Sequence, residues 1–225
     1  MSQSLFIAKC VLFDLDGTLM DTAPDLGAAA NAVRIQQGLE PLPLLIYRPV
    51  ASAGARGLLK VALGISPDHA DFPARRDYFL EYYRENLSKL SVLFDGMAEL
   101  LTAFERNDIR WGVVTNKPAW LTQPLMLEMN LAERAACAVS GDDVPKAKPA
   151  PDSILLACAQ VGLSVSDCIY VGDDKRDVDA AKAAGMRSVA ADWGYLGDNG
   201  PIESWQADQI ARSPAELARL LGLGL

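Results

Sequence analysis

The sequence predicts an α/β protein in which a doubly wound parallel sheet carries a separate helical domain. Short apolar runs recur along the 225 residues, and segments with helical periodicity lie between most of them. Such alternation is typical of parallel sheets that are covered by helices. One long helical stretch, residues 21–90, interrupts the alternation after the first apolar run.

Several apolar runs have the length and the residue types of buried strands. They span residues 6–13, 109–115, 137–141, 168–172 and 187–191. The helical patterns between them cover residues 98–107, 117–130, 149–162 and 175–185. Gly162 and Gly185 close the last two helical segments, as glycines commonly do at helix ends.

The interruption is too long for one crossover and too rich in helical pattern to be a plain loop. Helices are predicted from Pro24 to the stop at Gly38, over 55–63 and over 73–90. We therefore expect residues 1–20 and 91–225 to form the core domain, and residues 21–90 to form a helical domain inserted into it.

The charge balance disfavours polyanionic partners. The chain has 21 Lys and Arg against 29 Asp and Glu, a net charge of -8, and no local basic patch, so nucleic acid is not an expected ligand. No apolar run is long enough to cross a membrane, and the N-terminus lacks the features of a secretory signal. A cytoplasmic protein without a membrane partner is the expectation.

The cysteines carry no recognisable metal or redox motif. Cys10, Cys137, Cys158 and Cys168 lie mostly among apolar neighbours and form no C-x-x-C pair. Reduced thiols in the core are expected.

Polar residues follow the predicted strands at the points where these strands end. In doubly wound sheets the carboxyl ends of the strands form the functional edge, so these residues should converge in space. They are, in chain order, Asp14, Asp16, Thr115, Asn116, Lys148, Asp173, Asp174 and Asp177.

This set suits the chemistry of a phosphoryl group. A carboxylate such as Asp14 can attack phosphorus, and a hard cation such as Mg²⁺ must then bridge the anions, with Asp14 and Asp173 as carboxylate ligands. Thr115 and Lys148 can stabilise the charge on the transferring group. Asp16 has the spacing to protonate the leaving alcohol.

Four segments resemble the motifs of the haloacid dehalogenase superfamily, in the same order. They are DLDGT at 14–18, the TN of VVTNKP, the lysine of KAKPAPD and the VGDD of VGDDKRD, and the resemblance covers essentially the whole chain. It implies a Rossmann-like core with a type C1 cap in residues 21–90.

The resemblance also implies a role for each matching residue. Asp14 is the nucleophile, and Asp16 is the acid and base, with its backbone carbonyl on the metal. Thr115, Asn116 and Lys148 bind phosphate, and Asp173 binds Mg²⁺. Asp177 is a supporting acidic residue, as is Asp174, which stands where many relatives have serine.

The presence of Asp16 favours phosphate ester hydrolysis over dehalogenation, because a halide leaving group needs no acid. The motifs are most similar to those of phosphoglycolate phosphatases, with N-acetylmuramic acid 6-phosphate phosphatases as near relatives. The expected partner is a small phosphorylated metabolite, and the expected state is a monomer or homodimer. Ser52, Gly54 and Arg56 in the cap are the candidates for substrate specificity.

Alternatives remain open at this point. A phosphomutase resembling β-phosphoglucomutase would use the same chemistry, and a protein that binds phosphorylated metabolites without turnover would use the same fold. Trp193 and Tyr195 suit either a rim of the site or the core. His69 is expected in a surface loop, and solvent exposure or helix capping is expected for Asp21, Asp25, Asp142 and Asp143.

Overall fold

The computed structural model describes residues 7–224. Residues 1–6 of the predicted core, including Phe6 at the start of the first predicted strand, and residue 225 lie outside this range.

A six-stranded parallel sheet forms the centre of the molecule, in the order β5-β4-β1-β6-β7-β8. Its strands are β1 (Cys10–Phe13), β4 (Arg110–Val114), β5 (Ala138–Val139), β6 (Cys168–Gly172), β7 (Arg187–Ala191) and β8 (Gln209–Ala211). The first five coincide with the predicted runs, whereas β8 was not predicted. The chain builds outward from β1 first on one side and then on the other, so β1 lies at the topological switch point.

Side chains of β1 alternate between two hydrophobic clusters. Val11 and Phe13 belong to one cluster, and Cys10 and Leu12 belong to the other. Both faces of the sheet are therefore covered, which confirms the predicted doubly wound fold.

Helices on the two faces follow the predicted segments, with ends that differ by a few residues. They are α5 (Met97–Arg106), α6 (Ala119–Glu128), α7 (Asp152–Val161), α8 (Lys175–Ala184) and α9 (Pro214–Leu220). Helices α7 and α8 contact each other, and α5 contacts α9. The short helix α9 had no predicted counterpart.

The segment between Asp21 and Val92 is helical. It contains α1 (Ala23–Gln36), α2 (Leu44–Tyr47), a 3₁₀ helix (Arg48–Ala53), α3 (Gly54–Leu63) and α4 (Phe72–Glu85). Helix α1 packs against both α3 and α4. The two-residue strands β2 (Met20–Asp21) and β3 (Val92–Leu93) pair antiparallel, so the chain enters and leaves this segment at adjacent points.

Asp25 has a structural role that the sequence did not indicate. It is buried, and its carboxylate accepts hydrogen bonds from the backbone N–H groups of Leu90 and Ser91 and from the Ser91 hydroxyl. The expectation of a solvated or capping residue was therefore wrong. Asp25 ties the start of α1 to the segment that returns to the core.

Two other expectations concern the cysteines and membrane-spanning helices. All four cysteines are buried and free, as predicted. Within residues 7–224, no helix combines the length and the apolar character needed to span a membrane.

Candidate active site

The strand order brings the predicted polar residues to one edge of the sheet. Asp14 directly follows β1, which pairs with β4 on one side and β6 on the other. Thr115 directly follows β4, and Asp173 directly follows β6. The three strand ends thus place these side chains next to one another.

Lys148 joins two of the carboxylates. Its Nζ lies 2.9 Å from Asp14 Oδ1 and 2.7 Å from Asp177 Oδ1, and it donates to the Val114 carbonyl at 2.9 Å. The side chain is 2% exposed. Burial alone would lower the pKa of Lys148, but the two carboxylates outweigh it and raise the pKa above its usual value, so the ammonium is retained.

The two oxygens of Asp14 have different surroundings. Oδ1 accepts from the Leu15 N–H at 2.8 Å and pairs with Lys148. Oδ2 receives no hydrogen bond from the described part of the chain. Burial raises the pKa of Asp14 to about 7, although Lys148 acts in the opposite direction. A buried carboxylate with one unengaged oxygen is a suitable nucleophile or metal ligand.

Asp14, Asp173 and Asp177 form a buried acidic cluster in which one oxygen from each residue lies within 4.8 Å of the others. Burial, followed by the charges of Asp14 and Asp177, raises the pKa of Asp173 well above its usual value. The cluster therefore holds more negative charge than Lys148 alone can balance. Carboxylate oxygens in this arrangement suit a hard divalent cation.

Asp173 is held by neutral donors. Its Oδ1 accepts from the Thr18 hydroxyl at 2.7 Å, and its Oδ2 accepts from the Tyr195 N–H at 2.8 Å. A Cβ at Gly17, where φ is +91°, would lie 2.3 Å from Asp173 Oδ2. Glycine is needed at position 17 both for the backbone turn and for this close approach.

Tyr195 and Trp193 are packed against the same region. Tyr195 is 5% exposed, and its hydroxyl lies 3.0 Å from Asp21 Oδ1 and accepts from the Ala23 N–H. The Trp193 indole donates to the Thr18 carbonyl. These contacts favour packing beneath the site over a rim around it.

Asp174 and Asp177 begin helix α8 with a capping box. The Asp174 side chain accepts from the Arg176 N–H, and the Asp177 side chain accepts from the Asp174 N–H at 3.0 Å. Burial raises the pKa of Asp174, but the guanidinium of Arg176 outweighs it, so the pKa is lowered overall. Because both Asp177 oxygens are engaged, one of them by Lys148, its surroundings suit support better than direct metal ligation.

Asp16 points toward a different lysine. Its Oδ1 pairs with Lys117 Nζ at 2.8 Å and accepts from the Thr22 hydroxyl at 2.5 Å. Lys117 also donates to the Tyr83 hydroxyl at 2.9 Å. Burial raises the pKa of Tyr83 to about 12, so this hydroxyl keeps its proton at neutral pH.

Thr115 and Asn116 have different surroundings. Thr115 is buried, and its hydroxyl accepts from the Lys117 N–H at 3.1 Å. The Asn116 side chain donates to the Lys148 carbonyl and accepts from the Lys148 N–H, each at 2.9 Å. The Asn116 amide thus fixes the backbone of Lys148. Thr115 and Asn116 also line a cavity over the strand ends.

A cavity of about 330 Å³ lies over the strand ends and reaches the helical segment. Asp14, Asp16 and Lys148 line it from the core, and Ser52, Gly54 and Arg56 line it from the helical segment. The exposed side chain of Arg56 has no ion pair or hydrogen bond with the rest of the described chain. It is a cation that a ligand in the cavity could use.

Arg176 connects helix α8 to the 3₁₀ helix Arg48–Ala53, which carries Ser52 and leads directly into α3 with Gly54 and Arg56. Its guanidinium pairs with Asp174 through Nε at 2.9 Å and Nη2 at 3.0 Å, and Nη2 also donates to the Ser52 carbonyl at 3.0 Å. Ser52 Oγ lies 3.4 Å from the Asp16 carbonyl oxygen and 3.5 Å from Asp173 Oδ2. The C-terminal end of the 3₁₀ helix is therefore anchored to the core through Ser52.

Four residues at the site were not singled out in the sequence. Thr18, Lys117 and Arg176 each lie within or next to a segment that carries a motif, so closer attention to the motif neighbours could have found them. Tyr83 had no such signal, because it belongs to a helix that packs onto the site from a remote part of the chain.

Comparisons with known proteins agree with this geometry. Residues 11–191 match the family model of the haloacid dehalogenase-like hydrolases. The N-acetylmuramic acid 6-phosphate phosphatase of Pseudomonas aeruginosa is 41% identical over 217 residues, which cover 96% of each chain. The phosphoglycolate phosphatase of Xanthomonas campestris pv. campestris is 44% identical over 213 residues, covering 93% of this chain and 94% of the relative.

A solved structure shows the same fold. The crystal structure of a predicted phosphoglycolate phosphatase from Haemophilus somnus 129PT superimposes with a TM-score of 0.83 at 28% identity, covering 98% of this chain and 99% of that one. The fold and the class of phosphoric monoester hydrolase predicted from the sequence are confirmed. With the family model matching most of the core and relatives matching nearly the full length, the chain belongs to the haloacid dehalogenase-like hydrolases.

Proposed function

We propose that the chain is a Mg²⁺-dependent phosphatase that hydrolyses a small phosphorylated metabolite through an aspartyl phosphate on Asp14. The observation that supports this most directly is the meeting of three side chains: Asp14 after β1, Asp173 after β6, and Lys148 in the segment after β5. Asp14 and Lys148 also line the cavity. A nucleophile, an acidic pair for a cation and a fixed positive charge are the parts that phosphoryl transfer needs.

The acidic cluster fits Mg²⁺ by its chemistry. The donors are buried oxygens, and the pKa of Asp173 is raised first by burial and then by repulsion from Asp14 and Asp177, which a divalent cation would offset. Asp14 and Asp173 would hold the ion through their carboxylates, and Asp16 through its backbone carbonyl. When bound, the ion supplies charge neutralisation between the carboxylates and the phosphate.

The chain's own residues perform the transfer. Asp14 attacks phosphorus through Oδ2, while Lys148 holds Oδ1 and so fixes the direction of the carboxylate. Lys148 and the Thr115 hydroxyl are placed to stabilise the charge on the transferring group. Asn116 contributes by fixing the backbone of Lys148.

Asp16 serves as acid and base. As the bond between phosphorus and the alcohol oxygen breaks, its electron pair passes to that oxygen and Asp16 supplies the proton. In the second step water attacks the phosphorus of the aspartyl phosphate, gives its proton to Asp16 and releases inorganic phosphate from Asp14.

Residues 21–90 act as a cap on a core formed by residues 1–20 and 91–225. The pairing of β2 with β3 supports this division, because it gathers both connections at one hinge-like position. Ser52, Gly54 and Arg56 line the same cavity as Asp14 and Asp16, so they select the substrate. The unpaired guanidinium of Arg56 favours a second anionic group on that substrate.

The substrate is phosphoglycolate-like. Its carboxylate is the anionic group that would meet Arg56, and a phosphoglycolate phosphatase is among the relatives. N-acetylmuramic acid 6-phosphate is the alternative, because it also has a carboxylate and a phosphatase named for it is 41% identical. A cavity of about 330 Å³ admits either compound. Such metabolites also suit the cytoplasmic location predicted from the sequence.

A substrate screen tests the proposal. The purified protein, supplied with Mg²⁺, is assayed for phosphate release from 2-phosphoglycolate, N-acetylmuramic acid 6-phosphate and a panel of sugar phosphates. We expect kcat/KM to be highest for one of the two carboxylated esters. A clear preference for esters without a carboxylate would contradict the role given to Arg56.

Product analysis and one variant separate the remaining alternatives. Conversion of a sugar phosphate into its isomer without phosphate release would identify a mutase instead. Asp14→Asn should abolish phosphate release, whereas the exposed control Asp68→Asn should retain it. Equal activity of the two variants would exclude Asp14 as the nucleophile.

A further inference from the structure

Helix α4 contributes a buried tyrosine to the environment of Asp16. Tyr83 is 1% exposed, and its hydroxyl accepts from Lys117 Nζ at 2.9 Å. The same ammonium lies 4.6 Å from the centre of the Tyr83 ring. Tyr83 therefore restrains Lys117 by a hydrogen bond and by a cation–π contact.

Lys117 passes this restraint to the carboxylate of Asp16. Its ammonium pairs with Oδ1 at 2.8 Å, and the Thr22 hydroxyl donates to the same oxygen at 2.5 Å. Oδ2 receives no hydrogen bond from the part of the chain that the structure describes. With Oδ1 held from two sides, Oδ2 is the oxygen that can carry the transferable proton.

We propose that Tyr83 is a positioning residue that holds Lys117 on Asp16 Oδ1 and thereby couples proton transfer by Asp16 to the seating of helix α4. This inference rests on the acid role proposed for Asp16. When the ester bond breaks, the proton on Oδ2 passes to the alcohol oxygen, and the resulting carboxylate lies beside the Lys117 ammonium. If α4 were not seated, Lys117 would lose its second anchor.

Burial restrains both the ion pair between Lys117 and Asp16 and the ring of Tyr83. The Lys117 side chain is 6% exposed and that of Asp16 is 14% exposed, so water competes little with the ion pair. Tyr83 also stacks on Phe79, at a ring separation of 6.4 Å, and Phe79 is 1% exposed. The tyrosine ring is thus part of the packed face of α4 rather than a mobile side chain.

The test uses two esters of similar size that differ in their need for an acid. Benzyl phosphate releases an alcohol that must be protonated, whereas 4-nitrophenyl phosphate releases a phenolate that leaves without a proton. The measured quantity is kcat/KM, which reports the steps up to alcohol release. It is determined for the wild type, Tyr83→Phe, Lys117→Met, the double variant and Asp16→Asn.

Tyr83→Phe keeps the ring and removes the hydroxyl. We expect kcat/KM to fall about tenfold for benzyl phosphate and less than about twofold for 4-nitrophenyl phosphate, because general acid catalysis contributes about 10²–10⁴-fold and only part of it is lost. Lys117→Met should show a larger loss with the same ester dependence. The double variant should be no worse than Lys117→Met, because both residues act on one carboxylate.

Tyr82→Phe on the same helix is the matched control, since its hydroxyl has no hydrogen bond within residues 7–224. It should leave kcat/KM for both esters unchanged. Equal losses for both esters in Tyr83→Phe, or additive losses in the double variant, would show a purely structural role and overturn the inference.

Asp16→Asn separates this inference from the proposed function. A loss confined to benzyl phosphate in Asp16→Asn, together with an ester-independent effect of Tyr83→Phe, would overturn only the role of Tyr83. Equal losses for both esters in Asp16→Asn would refute the acid role of Asp16, and the role of Tyr83 with it.

Discussion

Lys148 places a buried positive charge beside Asp14, the proposed nucleophile. Its ammonium touches two carboxylates that are themselves buried, and the side-chain amide of Asn116 holds the backbone of Lys148 by two hydrogen bonds. The Lys148 ammonium lies between the carboxylates of Asp14 and Asp177, where it offsets their mutual repulsion and orients both. Folding and the proposed catalysis are therefore expected to depend on the same side chain.

Replacement of Lys148 by methionine should destabilise the metal-free protein. Removing one partner of a buried ion pair leaves uncompensated charge, which costs about 3–5 kcal/mol. Urea unfolding in the presence of EDTA measures this change. Lys146→Met, at an exposed position nearby, should change the free energy of unfolding by less than about 0.5 kcal/mol. A similar small value for Lys148→Met would show that Lys148 does not balance the acidic cluster.

Helix α8 links the acidic cluster to the 3₁₀ helix that carries Ser52, a proposed specificity residue. Its capping box fixes Asp174 and Asp177, and its second residue, Arg176, reaches across to the Ser52 carbonyl. Asp174 thus has a definite structural role, as the N-cap of α8 and the partner of Arg176. The N-terminus of α8 therefore orders Asp174 and Asp177 on the core and, through Arg176, the 3₁₀ helix that carries Ser52.

Arg176→Lys should weaken substrate binding more than turnover. Lysine keeps the charge but loses the planar fork that engages Asp174 and Ser52 together. We expect KM to rise about three- to tenfold with kcat changed less than about twofold, measured with the best substrate of the screen. Arg76→Lys is the control, since among residues 7–224 the guanidinium of Arg76 pairs only with its neighbour Asp77. An unchanged KM would show that substrate binding does not depend on the contact between Arg176 and the 3₁₀ helix that carries Ser52.

Elements with a strong local pattern were predicted well. The runs that became β1, β4, β6 and β7 are mostly apolar, because strands of a doubly covered sheet are buried on both faces. The edge strand β8 and the two-residue pair of β2 with β3 were missed, since neither has a local apolar run. The predicted helix over 73–90 ends at Glu85, and the rest of that stretch forms the return to the core.

Site residues that lie in motifs were found, and those supplied by tertiary packing were not. The strand ends place Asp14, Thr115 and Asp173 together by topology alone, which a sequence can indicate. Asp25 and Tyr83 act through partners that are remote in sequence. No spacing along the chain reveals such contacts.

At the scale of the whole molecule, the acidic cluster makes stability depend on pH. Burial raises the pKa of Asp14 from 3.8 to about 7, and it raises the pKa of Asp173 as well. A raised pKa in the folded state means that the folded protein binds more protons than the unfolded chain. This contribution is fully present below about pH 4 and is lost as the pH rises toward 7. Carboxylates with a lowered pKa, such as Asp174, act at lower pH.

The EDTA-treated protein should therefore lose thermal stability between about pH 4 and pH 7. Mg²⁺ should raise the Tm more at pH 8 than at pH 5, because protons compete with the ion for the same carboxylates. Calorimetry at several pH values measures both effects. Asp14→Asn, which removes one of the titrating groups, should flatten the pH dependence in EDTA. A Tm that rises steadily over this range in EDTA would contradict the assignment.

The most direct test of the account is to trap the phosphorylated enzyme. The protein is quenched during turnover of 4-nitrophenyl phosphate with Mg²⁺ and treated with borohydride, which reduces an aspartyl phosphate to homoserine, and the modified position is located by peptide mass spectrometry. If Asp14 is the nucleophile, homoserine is expected at position 14 in the wild type and none in Asp14→Asn. Turnover without modification at position 14, or with modification at another carboxylate, would contradict the central claim that Asp14 is the nucleophile.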